Sequence, residues 1–315
     1  MAIDLVYIAL ALVLLFVGAE GLVRGSSSLA LRAGVSPLVV GLTIVAFGTS
    51  SPELVVSIEA ALSQQGDIAV GNVVGSNFFN IGIILGLTAL LCPIPVHRQI
   101  IRLDGPIALG VALLLVVLLL DQSLARIEGL LLFAGILGYI WMSVSLSRRE
   151  EQADSTTPDG ASVASPARHW GLDVVFILGG LAVLVAGSRL LVEHAISLAT
   201  DLGIDEAVIG LTIVAAGTSM PELATSVVAA VRRQPDIAIG NVIGSNIFNI
   251  LGILGLSSLV SPITAPGISL VDYGMMIVFT VLLIPLLYTG RILHRVEGIV
   301  LLVLYGIYLS VLWPS

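Results

Sequence analysis

Apolar runs long enough to cross the roughly 30 Å hydrocarbon layer of a bilayer recur along the whole chain, as from Leu109 to Leu120 and from Met275 to Leu287 with their flanks. A backbone in lipid has to satisfy its own hydrogen bonds, so only helices and closed barrels span it. Runs of this length read as helices. Ten spans are counted, at 4–23, 37–62, 67–91, 104–120, 126–146, 172–192, 206–231, 236–260, 269–289 and 296–313. Composition agrees, with 57% hydrophobic and 11% charged residues, where a soluble domain carries about 25% charged residues. The chain reads as an all-α polytopic membrane protein with ten transmembrane helices. Its first apolar stretch follows Asp4 without a basic lead or a small-residue cleavage pattern, so it reads as an uncleaved helix.

The stretch from Gly41 to Leu90 matches that from Gly210 to Leu259 without a gap, with about two thirds of positions identical. The chain is therefore two copies of one unit, residues 1–146 and 172–315, joined by a polar stretch rich in Ser, Pro and Ala, residues 147–171, that reads as a flexible cytoplasmic loop. Five spans per copy is an odd number, so corresponding helices are expected to cross the membrane in opposite directions, as two inverted five-helix repeats. Arginine placement agrees. With the central loop in the cytoplasm, Arg24, Arg32, Arg98, Arg102, Arg148, Arg149, Arg168, Arg232, Arg233, Arg291 and Arg295 lie inside, and only Arg126 and Arg189 outside. Both termini are then outside the cell membrane. In the first helix of each copy the charges trade signs, since Glu20 aligns with Arg189 and Arg24 with Glu193.

Two motifs per copy hold nearly all the intramembrane polar groups. The first runs Gly48-Thr49-Ser50-Ser51-Pro52-Glu53 and returns as Gly217-Thr218-Ser219-Met220-Pro221-Glu222. The proline has no N–H, so the carbonyl of Gly48 or Gly217 loses its partner and the helix is expected to kink. Neighbouring carbonyls, among them Ala46 and Ala215, are expected to turn inward. A carboxylate near the bilayer midplane costs at least about 2.5–3.5 kcal/mol and marks function by default. Two of them, Glu53 and Glu222, brought together among hydroxyls and carbonyls form an all-oxygen ligand set of the kind that holds calcium or sodium. The bland alternative, a buried acid paired with arginine, finds no arginine in the neighbouring spans. For Thr49, Ser50, Thr218 and Ser219 the alternative is a hydroxyl bonding back to its own helix. The second motif, Gly71 to Asn80 and Gly240 to Asn249, places small residues and an amide on one helical strip. That strip is expected to pack on the broken helix and present Ser76, Asn80, Ser245 and Asn249 to an ion. Asn72, Asn77, Asn241 and Asn246 read as packing or capping amides, Asp67 and Asp236 as helix N-terminal charges, the four histidines as surface groups and Pro285 as a kink.

These four segments resemble the two alpha-repeats of the calcium/cation exchanger superfamily, whose fold is ten helices in two five-helix repeats. The resemblance implies a calcium site from Glu53 and Glu222 with the backbone oxygens of Thr49 and Thr218. It implies sodium bound nearby with Ala46, Ser50 and Ser245 on one side and Ala215, Ser219 and Ser76 on the other, with Asn80 and Asn249 completing the middle. Proton-coupled members carry a glutamate where Gly75 and Gly244 stand here, which favours sodium coupling. Asn249 replaces an aspartate found in some relatives, including potassium-dependent ones. The expected function is sodium/calcium antiport by alternating access, with no cofactor beyond the transported Ca²⁺ and Na⁺, no enzymatic activity, no nucleic acid and no obligate protein partner. The first and sixth helices, less polar than the rest, are expected to slide across the others. Empty, the two glutamates repel each other and invite a proton, so transport is expected to weaken in acid. The nearest rival is a calcium/proton antiporter on the same fold. A passive cation channel ranks lower, and an intramembrane enzyme lower still, for want of a nucleophile–base pair in the spans.

Overall fold

A computed structural model describes residues 2–154, 170–202, 215–288 and 290–312. Nearly everything described is helix, as a backbone in lipid requires. Helix α1 (Ala2–Ala33) leads into a bent pair, α2 (Pro37–Thr49) and α3 (Ser51–Leu62), which meet at 48°. Then come α4 (Gly66–Leu91), α5 (Ile100–Asp121) and α6 (Arg126–Asp154). The second copy gives α7 (Trp170–Asp201), α8 (Ala215–Thr218), α9 (Met220–Val231), α10 (Pro235–Val260), α11 (Leu270–Tyr288) and α12 (Arg295–Leu312). Seven described helices are long and apolar enough to span, or eight with the bent pair counted as one. The first part of the seventh expected span, at 203–214, lies outside the described residues, as does 155–169 of the central loop.

Burial separates a centre from a periphery. In α4 and α10, the two helices carrying the second motif, 78% and 100% of the most apolar window is buried, against 33% or less in α1, α5, α6, α7 and α11. Those five turn residues such as Leu12, Val13, Phe16, Leu114, Leu131 and Val278 outward, the face a helix offers to acyl chains.

Helices α1 and α7 are equivalent in the two copies and pack antiparallel along their length. A Cβ on Gly18 would lie 2.8 Å from Gly180 O, so only glycine lets these backbones approach so closely. Arg32 pairs with buried Asp173 at one end of the pair (2.7 Å), and His194 with Asp4 at the other (3.0 Å). His194 also stacks on Tyr7, with centroids 4.3 Å apart. It is therefore packed into a helix contact and is not the loose surface group the sequence led us to expect.

The copies are further tied by two short antiparallel strand pairs. Strand β1 (Ile94–Pro95) joins β4 (Ile292–Leu293), and β2 (Ser123–Leu124) joins β3 (Ile263–Thr264). By the repeat alignment β1 corresponds to β3 and β2 to β4, so each pair is the other's counterpart. The polar stretch from 147 begins as helix, since α6 continues to Asp154. Ser147 is buried there, and its Oγ accepts the Ser36 N–H at 2.7 Å. Polarity misled the sequence reading at this point, because a helix that leaves the hydrocarbon layer keeps its own hydrogen bonds in water.

Candidate cation site

The break in each motif falls on one serine. Ser50 (φ −82°, ψ 8°) and Ser219 (φ −87°, ψ 7°) stand between helices, and α3 and α9 restart with proline in the first turn, where a missing N–H is harmless. Glu53 and Glu222 thereby occupy the first turn of a twelve-residue helix, at the positive end of its dipole, which favours a carboxylate. The expected kink is present. The freed carbonyls are handled differently from expectation, however. Gly217 O accepts the Ser188 hydroxyl from α7 at 2.6 Å, and Ala46 O accepts the Ser50 N–H at 3.0 Å, so it is still engaged in its own chain. Ala215 opens α8.

Both glutamates are buried, each 1% exposed, and each is bonded by the serine of the other copy. Ser50 Oγ donates to Glu222 Oε1 at 2.8 Å, and Ser219 Oγ donates to Glu53 Oε1 at 3.0 Å. Ser76 Oγ lies 3.3 Å from Ser219 Oγ. The Thr218 hydroxyl sits beside Glu53 and that of Thr49 beside Glu222, and the two carboxylates are near enough to repel. Thr49 Oγ1 also donates to Asn241 Oδ1 at 3.1 Å. Ion pairs among the described residues include Arg24–Glu20, Arg232–Glu20, Arg32–Asp173 and His194–Asp4. Neither Glu53 nor Glu222 takes part in one.

Amides lock the frame around this centre. Asn72 Nδ2 donates to Glu53 O (3.2 Å) and Ser57 Oγ (3.0 Å), while Asn241 Nδ2 donates to Glu222 O (3.3 Å) and Ser226 Oγ (3.0 Å). Asn77 and Asn246 donate to each other's carbonyls at 3.1 and 3.2 Å. Their side-chain oxygens receive Asn249 Nδ2 (3.0 Å) and Asn80 Nδ2 (2.9 Å). Asn80 and Asn249 thus spend their N–H groups on the frame, and their oxygens are left over. Each of them opens a π-helical turn, Asn80–Leu85 and Asn249–Leu254, a feature frequent at functional sites.

The remainder is chemically uniform. Glu53 Oε2, Glu222 Oε2, Thr218 Oγ1, Asn80 Oδ1, Asn249 Oδ1 and Ser245 Oγ are buried without a hydrogen-bond partner. All six are oxygens, and an unmet buried acceptor costs about 1–3 kcal/mol. A hard cation satisfies such a set. Among the described residues no group of three or more His, Cys, Asp or Glu could hold a metal.

The family model for the sodium/calcium exchanger protein matches residues 3–145 and 172–313. The chain belongs to the sodium/calcium exchanger family. Within that family it is 40% identical to the putative antiporter CaxA of Alkalimonas amylolytica over 100% of both chains. It is 35% identical to the sodium/calcium exchanger MaX1 of Methanosarcina acetivorans over 99% of both. Among solved structures it resembles the sodium-calcium exchanger NCX_Mj, with a TM-score of 0.84 and 32% identity over 99% of this chain and 100% of that one. As an exchanger-family chain it is a multi-pass membrane protein.

The sequence reading missed how this exchanger-family site is held. It placed Asn72, Asn77, Asn241 and Asn246 as packing amides, which they are, without seeing that they fix the glutamate backbones and aim Asn80 and Asn249. The recurrence of Asn72 and Ser57 as Asn241 and Ser226 was the available signal. Ser188, which caps Gly217, has Ala19 as its counterpart, so no repeat signal marked it.

Proposed function

We propose that the chain is a secondary active antiporter that exchanges sodium for calcium across the cell membrane by alternating access. The observation that carries this is that Glu53 and Glu222, each bonded by a serine of the other copy, both keep a second buried carboxylate oxygen without a partner, as do the side-chain oxygens of Thr218, Ser245, Asn80 and Asn249 in the same motifs. Two carboxylates balance one calcium or two sodium ions, so the two species compete for one cavity, and the empty pair is the penalised state. Glu53 and Glu222 would carry the charge. Thr49, Thr218, Ser50, Ser219, Ser76, Ser245, Asn80 and Asn249 would add neutral oxygens, and the carbonyls of Ala46 and Ala215 would serve sodium at the flanks. The ions are cargo, and no resident cofactor, enzymatic step or obligate protein partner enters the scheme.

The architecture we propose is ten transmembrane helices in two inverted five-helix repeats, 1–146 and 172–315, joined by the cytoplasmic segment 147–171. Antiparallel packing of α1 on α7 and the exchanged strand pairs support inversion. Arg98, Arg102, Arg291 and Arg295 flank the β1–β4 pair, whereas Asp121 and Glu128 flank β2 beside the single Arg126, and Asp67 Oδ1 accepts the Gly267 N–H after β3 (2.7 Å). This contrast supports an inward-facing β1–β4 end and termini outside. The tightly packed α1–α7 pair is suited to move as a unit over the amide-locked centre.

The test is calcium flux in proteoliposomes with opposed gradients. A sodium gradient alone is expected to drive calcium uptake. Uptake driven only by a pH gradient would replace this reading with calcium/proton antiport, and conduction without a counter-ion would replace it with a channel.

A further inference from the structure

We propose that the outer face of α5 binds an anionic phospholipid of the cytoplasmic leaflet, with its phosphate on Arg102 and an acyl chain in the groove below. The groove has a volume of about 450 Å³ and is lined by Arg102, Leu103, Pro106, Ile107, Gly110, Val111 and Leu114. Six of these seven are apolar, and they follow one helical face from the arginine downward. The groove is shallow and open, and Gly110 adds no side chain to fill it, with nothing among the described residues within 4 Å of where a Cβ would stand. The twelve steps from Arg102 to Leu114 rise about 18 Å, close to the roughly 15 Å that one leaflet contributes to the hydrocarbon layer.

Charge selects the headgroup. Arg102 is exposed and makes no ion pair with the described residues. The β1–β4 pairing brings a second basic segment to the same end, with Arg291 O accepting the Val96 N–H at 2.8 Å and exposed Arg295 opening α12. Exposed Arg98 lies one turn before Arg102. Three acids near this segment are buried or already in contact with another group. Asp104 is buried and accepts the Tyr139 hydroxyl at 3.0 Å, Glu297 Oε2 caps His294 N–H at 2.5 Å, and Asp236 faces His97. A phosphodiester gains guanidinium hydrogen bonds here, while the ammonium of a zwitterionic headgroup is repelled by the same exposed Arg98 and Arg102.

The test titrates the purified full chain with dioleoyl phosphatidylglycerol or dioleoyl phosphatidylcholine and counts retained lipid by native mass spectrometry. Wild type is expected to retain the anionic lipid several-fold better. Arg102→Gln is expected to lower that retention about five-fold, which corresponds to roughly 1 kcal/mol for one arginine near a charged leaflet. Gly110→Leu fills the groove and is expected to expel both lipids while elution and helicity stay unchanged, and Arg126→Gln at the opposite end is expected to change nothing. Equal retention of the two lipids by wild type, unchanged retention in Arg102→Gln, or an equal loss in Arg126→Gln would overturn the proposal.

Discussion

Asn246→Ala separates the frame from the ligands. Asn246 is 5% exposed, receives Asn80 Nδ2 on its Oδ1 at 2.9 Å and donates to Asn77 O at 3.2 Å. Alanine removes both bonds, leaves the Asn80 side-chain N–H buried without its acceptor, and takes one of two donors from the Asn77 carbonyl, which keeps the Asn80 backbone N–H. Hydrogen bonds of this kind inside membrane proteins are worth about 0.6 kcal/mol on average and about 1.7 at most, so the loss in stability is expected to be about 1–3 kcal/mol. The second consequence falls on the site. Once Asn80 loses the acceptor that fixes its orientation, its Oδ1, a proposed ligand, is no longer held in place, and calcium affinity is expected to fall although Asn246 is not among the proposed ligands. The assay is a double-mutant cycle of Asn246→Ala and Asn80→Ala, read by calcium titration and thermal unfolding in detergent. If Asn246 acts through Asn80, the second substitution adds little to the first and the coupling is about 1 kcal/mol or more. Independent residues add within about 0.3–0.5 kcal/mol, and that result would refute the reasoning.

Gly244→Ala would bring a Cβ to 2.5 Å from Leu42 O and 2.7 Å from Leu42 Cα. Overpacking of this sort costs about 1–3 kcal/mol, so a lowered melting temperature is expected, and an unchanged one would contradict the close approach of α2 to α10. Arg32→Gln strips fully buried Asp173 of its counter-charge and is expected to cost about 3–5 kcal/mol. Glu20→Gln, whose partners Arg24 and Arg232 are 54% and 49% exposed, is expected to cost no more than about 1 kcal/mol; denaturation curves showing the reverse order would count against these ion pairs. Sodium-driven calcium uptake is expected to fall as pH is lowered from about 8 to about 5, because protons and cations compete for the ionised carboxylates. A flat profile over that range would argue against paired ionised glutamates.

The duplicated motifs made the centre of this protein readable from sequence because two constraints coincide there. A proline inside an apolar span implies a break, and an acid one residue later in lipid implies a cation. Glu53, Glu222, Ser50 and Ser219 followed from that, and the structure brings all four together. Direction was harder to read. Ser50 reaches Glu222, and Ser219 reaches Glu53, across the copies, and no spacing within one copy encodes a cross-copy bond. The π-helical turns at Asn80 and Asn249 were equally hidden, since one added residue per turn leaves the apolar pattern of a fully buried helix unchanged. At the periphery polarity misled, both at Ser147, which is buried and bonded to Ser36 N, and at His194, which is stacked on Tyr7.

The central claim is that Glu53 and Glu222 jointly hold the transported cation. Calorimetric titration of the purified chain with calcium tests it most directly, repeated at rising sodium and with Glu53→Gln and Glu222→Gln. One calcium per chain is expected, displaced by sodium, with no measurable binding in either variant while the helical fold persists. Calcium bound by either variant with wild-type affinity, or binding indifferent to sodium, would contradict it.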